Sequence, residues 1–426
     1  ELSGRIDAVD ETLTRSLDQV IPSKCLPPGG ERLLFNGTNW VCVCTQNWSG
    51  ATCESAWTRD TKLDPSSTAY INFGYAVASS EGTVVGGAPY EDGGSVYIFS
   101  MSENSWTLQA KIESPGGGAN DLFGYAVAIV GDTMVVGAIG DSVGGSAYVF
   151  TRSGTTWTQE IQLTASDGAD GDKFGSALSM SGDHVVIGAC RGYGSPGSAY
   201  VFSRSGDTWM QEKITTSDGN PNGFGIAVSI SGDDLAVGAH GDNEKGSAYI
   251  FRRSSGTWTQ KVKLQGTQIS NAGAFGQAVD ISGETLVIGA PYDDNNGKSG
   301  SGSAHVYIRS DDEWTKQTTL TAGSDSGTSD QFGYAVSING DLIVLGAPGH
   351  GADESWMGDS STGPGAVYVF KRSNNTWTKD AKLMIGTEAG SYDSLGKSVS
   401  ITAEGTVFGG APANNGGSVY IFSFTV

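Results

Sequence analysis

The chain has 426 residues, of which 64 are glycine and 12 proline; glycine is at about twice its usual ~7% share without a Gly-X-Y period, which excludes collagen and points to many tight turns. Charged residues make up 17% and hydrophobic ones 38%, and no apolar run reaches the ~20 residues of a spanning helix, so a charge-rich disordered polymer and a helical membrane bundle are both excluded. With 46 acidic against 25 basic residues the net charge is -21, which repels phosphate backbones and argues against nucleic acid as a partner.

Residues 1–24 place Leu2, Ile6, Val9, Leu13, Leu17 and Val20 on one helical face, with charged residues between them. The spacing predicts an amphipathic helix that ends near Pro22. A stripe this short does not stand alone in water. It is expected to dock on its own chain or to join copies of the chain in a short bundle. No charged and apolar leader opens the chain at Glu1, so the sequence reads as a mature form from which an export signal has been removed.

Residues 25–56 hold four of the five cysteines: Cys25, Cys42, Cys44 and Cys53. Such clustering reads as a small stapled module of a secreted protein. A zinc site is the alternative, but C-x-C without a nearby histidine is a poor tetrahedral set. The run from Cys42 to Cys53, with Trp48 and Gly50 before the last cysteine, resembles the C-terminal half of an EGF-like module, although the full six-cysteine framework is missing. Four cysteines allow three pairings; the resemblance implies Cys44 with Cys53, leaving Cys25 with Cys42. Sequons stand at Asn36, Asn47 and, far downstream, Asn374, and are expected to carry glycans if a eukaryote secretes the chain.

From residue 57 to 426 the sequence repeats. A unit of the form FG-x-A-V-x-x-x-x-G-D-x-x-V-V-G-A, then a variable loop, then G-S-A-Y-V-F-x-R-S-x-x-x-W-T recurs along the chain. Its Phe-Gly pairs start at Phe73, Phe123, Phe174, Phe224, Phe275 and Phe332, with Leu395-Gly396 in the seventh place. Tryptophans keep pace at Trp57, Trp106, Trp157, Trp209, Trp258, Trp314 and Trp377. Each unit reads as four short strands separated by turns, which predicts an all-β, seven-bladed propeller. One tryptophan strand, residues 57–63, is surplus at the front and one is missing at the back. The front strand is therefore expected to complete the seventh blade of its own ring; the rival is donation to a neighbouring subunit.

These units resemble the FG-GAP repeats of integrin α-subunit propellers, with Gly-Ala-Pro intact at 87–89, 289–291, 346–348 and 410–412. The resemblance implies an extracellular propeller that binds protein or glycan partners. Calcium loops of the integrin type are absent ahead of these positions, so that family's metal sites do not carry over.

Alternating strand direction puts the loops before each Phe-Gly and after each Gly-Ala on one face. These loops vary most in length and carry most of the excess acid, and function in such scaffolds usually sits in irregular loops. Asp167, Asp170 and Asp172 are candidate calcium ligands there, although aspartates in such turns more often cap local amides. Tyr-x-Phe pairs such as Tyr148 and Phe150 are expected to pack between blades, and Cys190 to be buried and unpaired.

Enzymatic motifs find no support. Gly140 to Gly144 matches G-x-S-x-G and Gly192 to Gly197 matches G-x-G-x-x-G, but both join strands and open no helix. The expected function is thus that of a secreted, non-enzymatic structural or adhesive glycoprotein, requiring no cofactor, that self-assembles through its N-terminal segment into an oligomer or fibre. The alternatives are a receptor-like module that captures a protein, glycan or cation on its acidic face, and a propeller glycosidase with paired carboxylates in the loop ring.

Overall fold

In a computed structural model the described residues are 32–35, 40–43, 57–65, 71–103, 105–192, 194–219, 221–267, 274–295, 297–351, 363–386, 393–412 and 416–424. The helix expected over 1–24, Cys25, Cys44 and Cys53, and the sequons at Asn36 and Asn47 lie outside them. The described part of the EGF-like stretch is one antiparallel pair, Arg32–Phe35 with Trp40–Val43; the pair carries Cys42, whose side chain is also outside the description.

The compact unit Thr58–Thr425 is a seven-bladed propeller of four-stranded antiparallel sheets. Blade 1 runs outward through Val77–Ser80, Thr83–Ala88, Ser95–Ser102 and Ser105–Glu113. Blades 2 to 6 repeat this order, with inner strands Phe123–Val130, Phe174–Ser181, Phe224–Ser231, Ala278–Ser282 and Val336–Asn339. Among the described residues the only helical pieces are two 3-10 turns, Asp242–Glu244 and Gly323–Asp325.

Burial follows from position in the wheel. Second strands such as Thr83–Ala88 are buried along their whole length, because sheets cover both of their faces. Outer strands such as Thr156–Leu163 alternate between exposed and half-buried positions, and read as half-polar in the sequence. Each Phe of a Phe-Gly pair is at most 2% exposed. Phe123 stacks edge-on against Tyr148 and Phe150 of its own blade, at 5.8 and 6.0 Å, and shares a core with Val85, Val96 and Ile98 of blade 1. The Tyr-x-Phe pairs thus pack in the inter-blade core, as expected.

The glycines of the motif make the joint between blades. Gly175 has φ +93°, and a Cβ on it would sit 2.4 Å from the Ser146 carbonyl oxygen and 3.1 Å from the Cα of Gly137, both in the preceding blade. A Cβ on Gly137 would in turn sit 2.0 Å from the Gly175 carbonyl oxygen. The same back-to-back contact joins Gly87 with Gly124 and Gly289 with Gly333, so the repeated Phe-Gly and Gly-Ala signals are two halves of one contact.

The seventh blade closes within the chain. Its sheet order is Ser398–Ile401, Val407–Ala411, Ser418–Phe424 and then Trp57–Leu63. Leu63 is buried in a cluster with Phe73, Phe408, Val419 and Ile421. Arg59 donates to the Ile385 carbonyl at 2.8 Å and lies over the Tyr420 ring. On the inner side the hydroxyls of Ser79 and Ser400 meet at 2.7 Å, tying blade 1 to blade 7.

Candidate functional site

The acidic face is built mostly from latches. In blade 3 the Tyr200 hydroxyl donates to Asp167 at 2.9 Å, and Lys213 from the outer strand reaches the same carboxylate at 2.5 Å. The Lys213 hydrogen bond holds Asp167 below the usual carboxylate range. Blade 1 repeats the triad with Tyr97, Glu91 and Lys111; blade 4 repeats it with Tyr249, Lys263, Asp218 and Asp242. In blade 2 Gln162 takes the lysine's place beside Tyr148 and Asp141. Many of the face's carboxylates are therefore engaged internally.

The calcium candidates are not brought together. Asp167 serves the latch, and Asp172 accepts from the Ala169 amide at 2.7 Å and pairs with Arg191 at 2.6 Å. Asp170 is exposed. Among the described residues no group of three His, Cys, Asp or Glu side chains has the geometry to hold a metal ion. Asn374 is exposed at the turn between the third and outer strands of blade 6, on the opposite face. Cys190 is free and buried, and burial pushes its thiol up.

Blade 5 holds a Ser-His-Asp cluster. Ser303 donates to Asp293 at 2.6 Å and lies 3.0 Å from His305 Nε2. His305 stands at the latch tyrosine's place in the repeat, and Ser303 is 0% exposed, so no substrate reaches its hydroxyl.

A different cluster forms where the wheel's axis meets the loop face. It comes from the residue that follows each Phe-Gly or Leu-Gly pair: Tyr75, Tyr125 and Tyr334 in blades 1, 2 and 6, and Lys397 in blade 7. The position lies within the inner strand for Tyr125 and one or two residues ahead of it for Tyr75, Tyr334 and Lys397, and residues from distant blades meet there. The Tyr75 and Tyr125 rings are 4.9 Å apart. Lys397 Nζ donates to the Tyr334 hydroxyl at 2.7 Å, lies 4.3 Å from that ring's centre and 6.0 Å from that of Tyr75. Two residues that follow Gly-Ala-Pro adjoin the cluster: Tyr90, 50% exposed and 6.2 Å from Tyr75, and Tyr292, 38% exposed and close enough to Tyr334 and Lys397 to interact with both. Burial, then the neighbouring Tyr125 phenol, raise Tyr75 far above the phenol range. Burial opposes the charge on Lys397, but the phenols of Tyr334, Tyr125 and Tyr292 together favour it, and the ammonium is held. The sequence pattern treats this position as a variable x; its chemistry becomes legible once that position is known to line the axis.

Further down the channel, the fifth residue after each Phe or Leu is Ser179, Ser229, Ser337 and Ser400 in blades 3, 4, 6 and 7, but Asp280 in blade 5. Ser229 accepts from the Ile281 amide of the next blade. Asp280 accepts likewise from Ile338 at 2.8 Å, and from the Ser229 hydroxyl at 2.7 Å. Burial pushes its carboxyl up to about 6, against the lowering by these hydrogen bonds. The folded state thus holds this proton more tightly than the unfolded chain, and stability falls as pH rises from about 4 through 6. Asp280→Ser, the sister-blade residue, is expected to be about 3 kcal/mol more favourable at pH 7.5 than below about pH 4. Urea unfolding at both pH values checks this; an equal gain at both would refute it.

The FG-GAP repeat family model matches residues 57–99, 106–150, 157–202, 209–251, 258–307 and 314–370. Each matched stretch begins at a tryptophan strand and ends in the third strand of the following blade, so the sequence repeat and the folded blade are out of phase by one strand. Among solved structures the chain is similar to that of a candidate 6-phosphogluconolactonase from Bacteroides uniformis ATCC 8492, with TM-score 0.51 and 12% identity over 73% of this chain and 85% of that one. A likeness at that identity speaks for the fold alone. No curated protein matches the chain by sequence. With six repeats matched over more than half of its length and a seven-bladed wheel built from them, the chain belongs to the FG-GAP repeat family.

Proposed function

We propose that this is an extracellular, non-enzymatic structural or adhesive glycoprotein that joins copies of itself through its N-terminal segment and displays the propeller as a rigid body. The observation that carries this reading is the closure of the wheel. Because Trp57–Leu63 complete the chain's own seventh sheet, assembly does not need strand exchange between rings. Association is then left to the apolar stripe of Leu2, Ile6, Val9, Leu13, Leu17 and Val20, which needs a covered face to be helical in water. The clustered cysteines and the sequons suit export. The buried Ser303 and the engaged loop carboxylates favour a non-enzymatic role over a glycosidase, and the reading includes no resident cofactor.

Static light scattering tests it. The full chain is expected to run as an oligomer or fibre, and residues 57–426 as a folded monomer. A full chain that stays monomeric at high concentration removes the assembly reading. A second reading, capture of a ligand on the loop face, is favoured by the Tyr and Lys cluster at the axis.

A further inference from the structure

We propose that the axial mouth of the loop face binds a carboxylate-bearing sugar, its carboxylate on Lys397 and its ring against Tyr90 and Tyr292. The proposal rests on the second reading, that the loop face is a binding face. Its starting point is a charge without a counter-charge among the described residues. Lys111, Lys213, Lys263 and Lys379 lie on this face over a third-strand tyrosine, and each pairs with a carboxylate at 2.5–3.1 Å. Lys397 departs from that pattern. Among the described residues its side chain meets phenols and no carboxylate: the hydroxyl of Tyr334, the rings of Tyr334 and Tyr75, and, less closely, Tyr125 and Tyr292. The ammonium is held by phenols alone, and an incoming carboxylate would add the charge-assisted bond that the other four lysines already have.

The surroundings select the kind of anion. An ammonium already occupies the ring faces, so a partner's cation is repelled. A chain of net charge -21 repels polyanions as well, which favours a single negative charge, such as one carboxylate, on an otherwise uncharged carrier. Tyr90 and Tyr292 offer half-exposed rings for an apolar face and phenols for hydroxyls. A sugar acid presents both, whereas a peptide would bring backbone N–H groups against rings that offer few acceptors.

Calorimetry on the full chain with D-glucuronate, D-glucose and the dipeptide Gly-Asp tests the assignment, with tyrosine fluorescence as a second readout. Glucuronate is expected to bind and glucose to bind at least about tenfold more weakly. Lys397→Met should lose glucuronate at least about tenfold, while Lys397→Arg retains it. Tyr292→Ala, which removes a rim ring and no core contact, should weaken glucuronate and leave thermal stability unchanged. It keeps the test alive if Lys397→Met does not fold. Equal binding of glucose and glucuronate, or unchanged binding by Lys397→Met, overturns the carboxylate site while leaving the loop face a binding face. Tighter binding of Gly-Asp overturns the sugar assignment. Silence from every probe in both readouts overturns the proposal and removes this support for the loop-face reading.

Discussion

A chain that starts at Asp64 is expected to be less stable than one that starts at Trp57 by at least about 5 kcal/mol, or to fail to fold. Losing Trp57–Leu63 strips the outermost strand from the seventh sheet. It also removes Leu63 from the core where Phe73 of blade 1 meets Phe408, Val419 and Ile421 of blade 7. The Arg59 bond to Ile385 goes with it. An open seam uncovers apolar surface on two blades at once, and losses of this size come from such compound core damage. Urea unfolding of the two chains measures the difference. The same peptide, residues 57–63, added in excess should restore part of the loss by mass action. Equal midpoints for the two chains would show that the seventh blade does not depend on that strand.

Alanine at Gly137 is expected to cost at least about 3 kcal/mol, although it adds one methyl group to a second strand of ordinary backbone conformation. That methyl would sit 2.0 Å from the Gly175 carbonyl oxygen and 2.9 Å from its carbon. Neither atom can move without shifting the inner strand of the next blade, so the penalty exceeds that of an overfilled side-chain core. Gly182→Ala is the control. It has φ +54° and nothing within 4 Å of the added Cβ, so only local strain of about 1 kcal/mol is expected. Comparable losses at the two positions would refute the steric account of the motif.

Residues whose role recurs in every blade could be assigned before any coordinates. Phe123, Tyr148, Phe150 and Trp157 recur in most units because the joints need similar filling, so their periodicity carries the architecture even where Leu395, His305 and Tyr307 stand in. The surplus strand at Trp57 was legible by counting. What counting does not reveal is where a loop carboxylate finds its partner. Asp167, Asp170 and Asp172 look like one cluster in sequence, yet Asp167 is drawn to Tyr200 and Lys213 from strands 33 and 46 residues on, while Asp172 turns to Arg191. The axial cluster was hidden for a related reason: Tyr75 and Lys397 lie at opposite ends of the propeller sequence, and only closure of the ring brings them within 6.0 Å.

The one-strand offset between repeat and blade has an evolutionary corollary. Duplication or loss of a whole coding unit changes how many sectors the ring contains without disturbing its clasp, since every unit begins by finishing its predecessor's sheet and the clasp is simply the first unit finishing the last. Ring size can therefore drift by unequal crossing-over while the fastening is inherited intact.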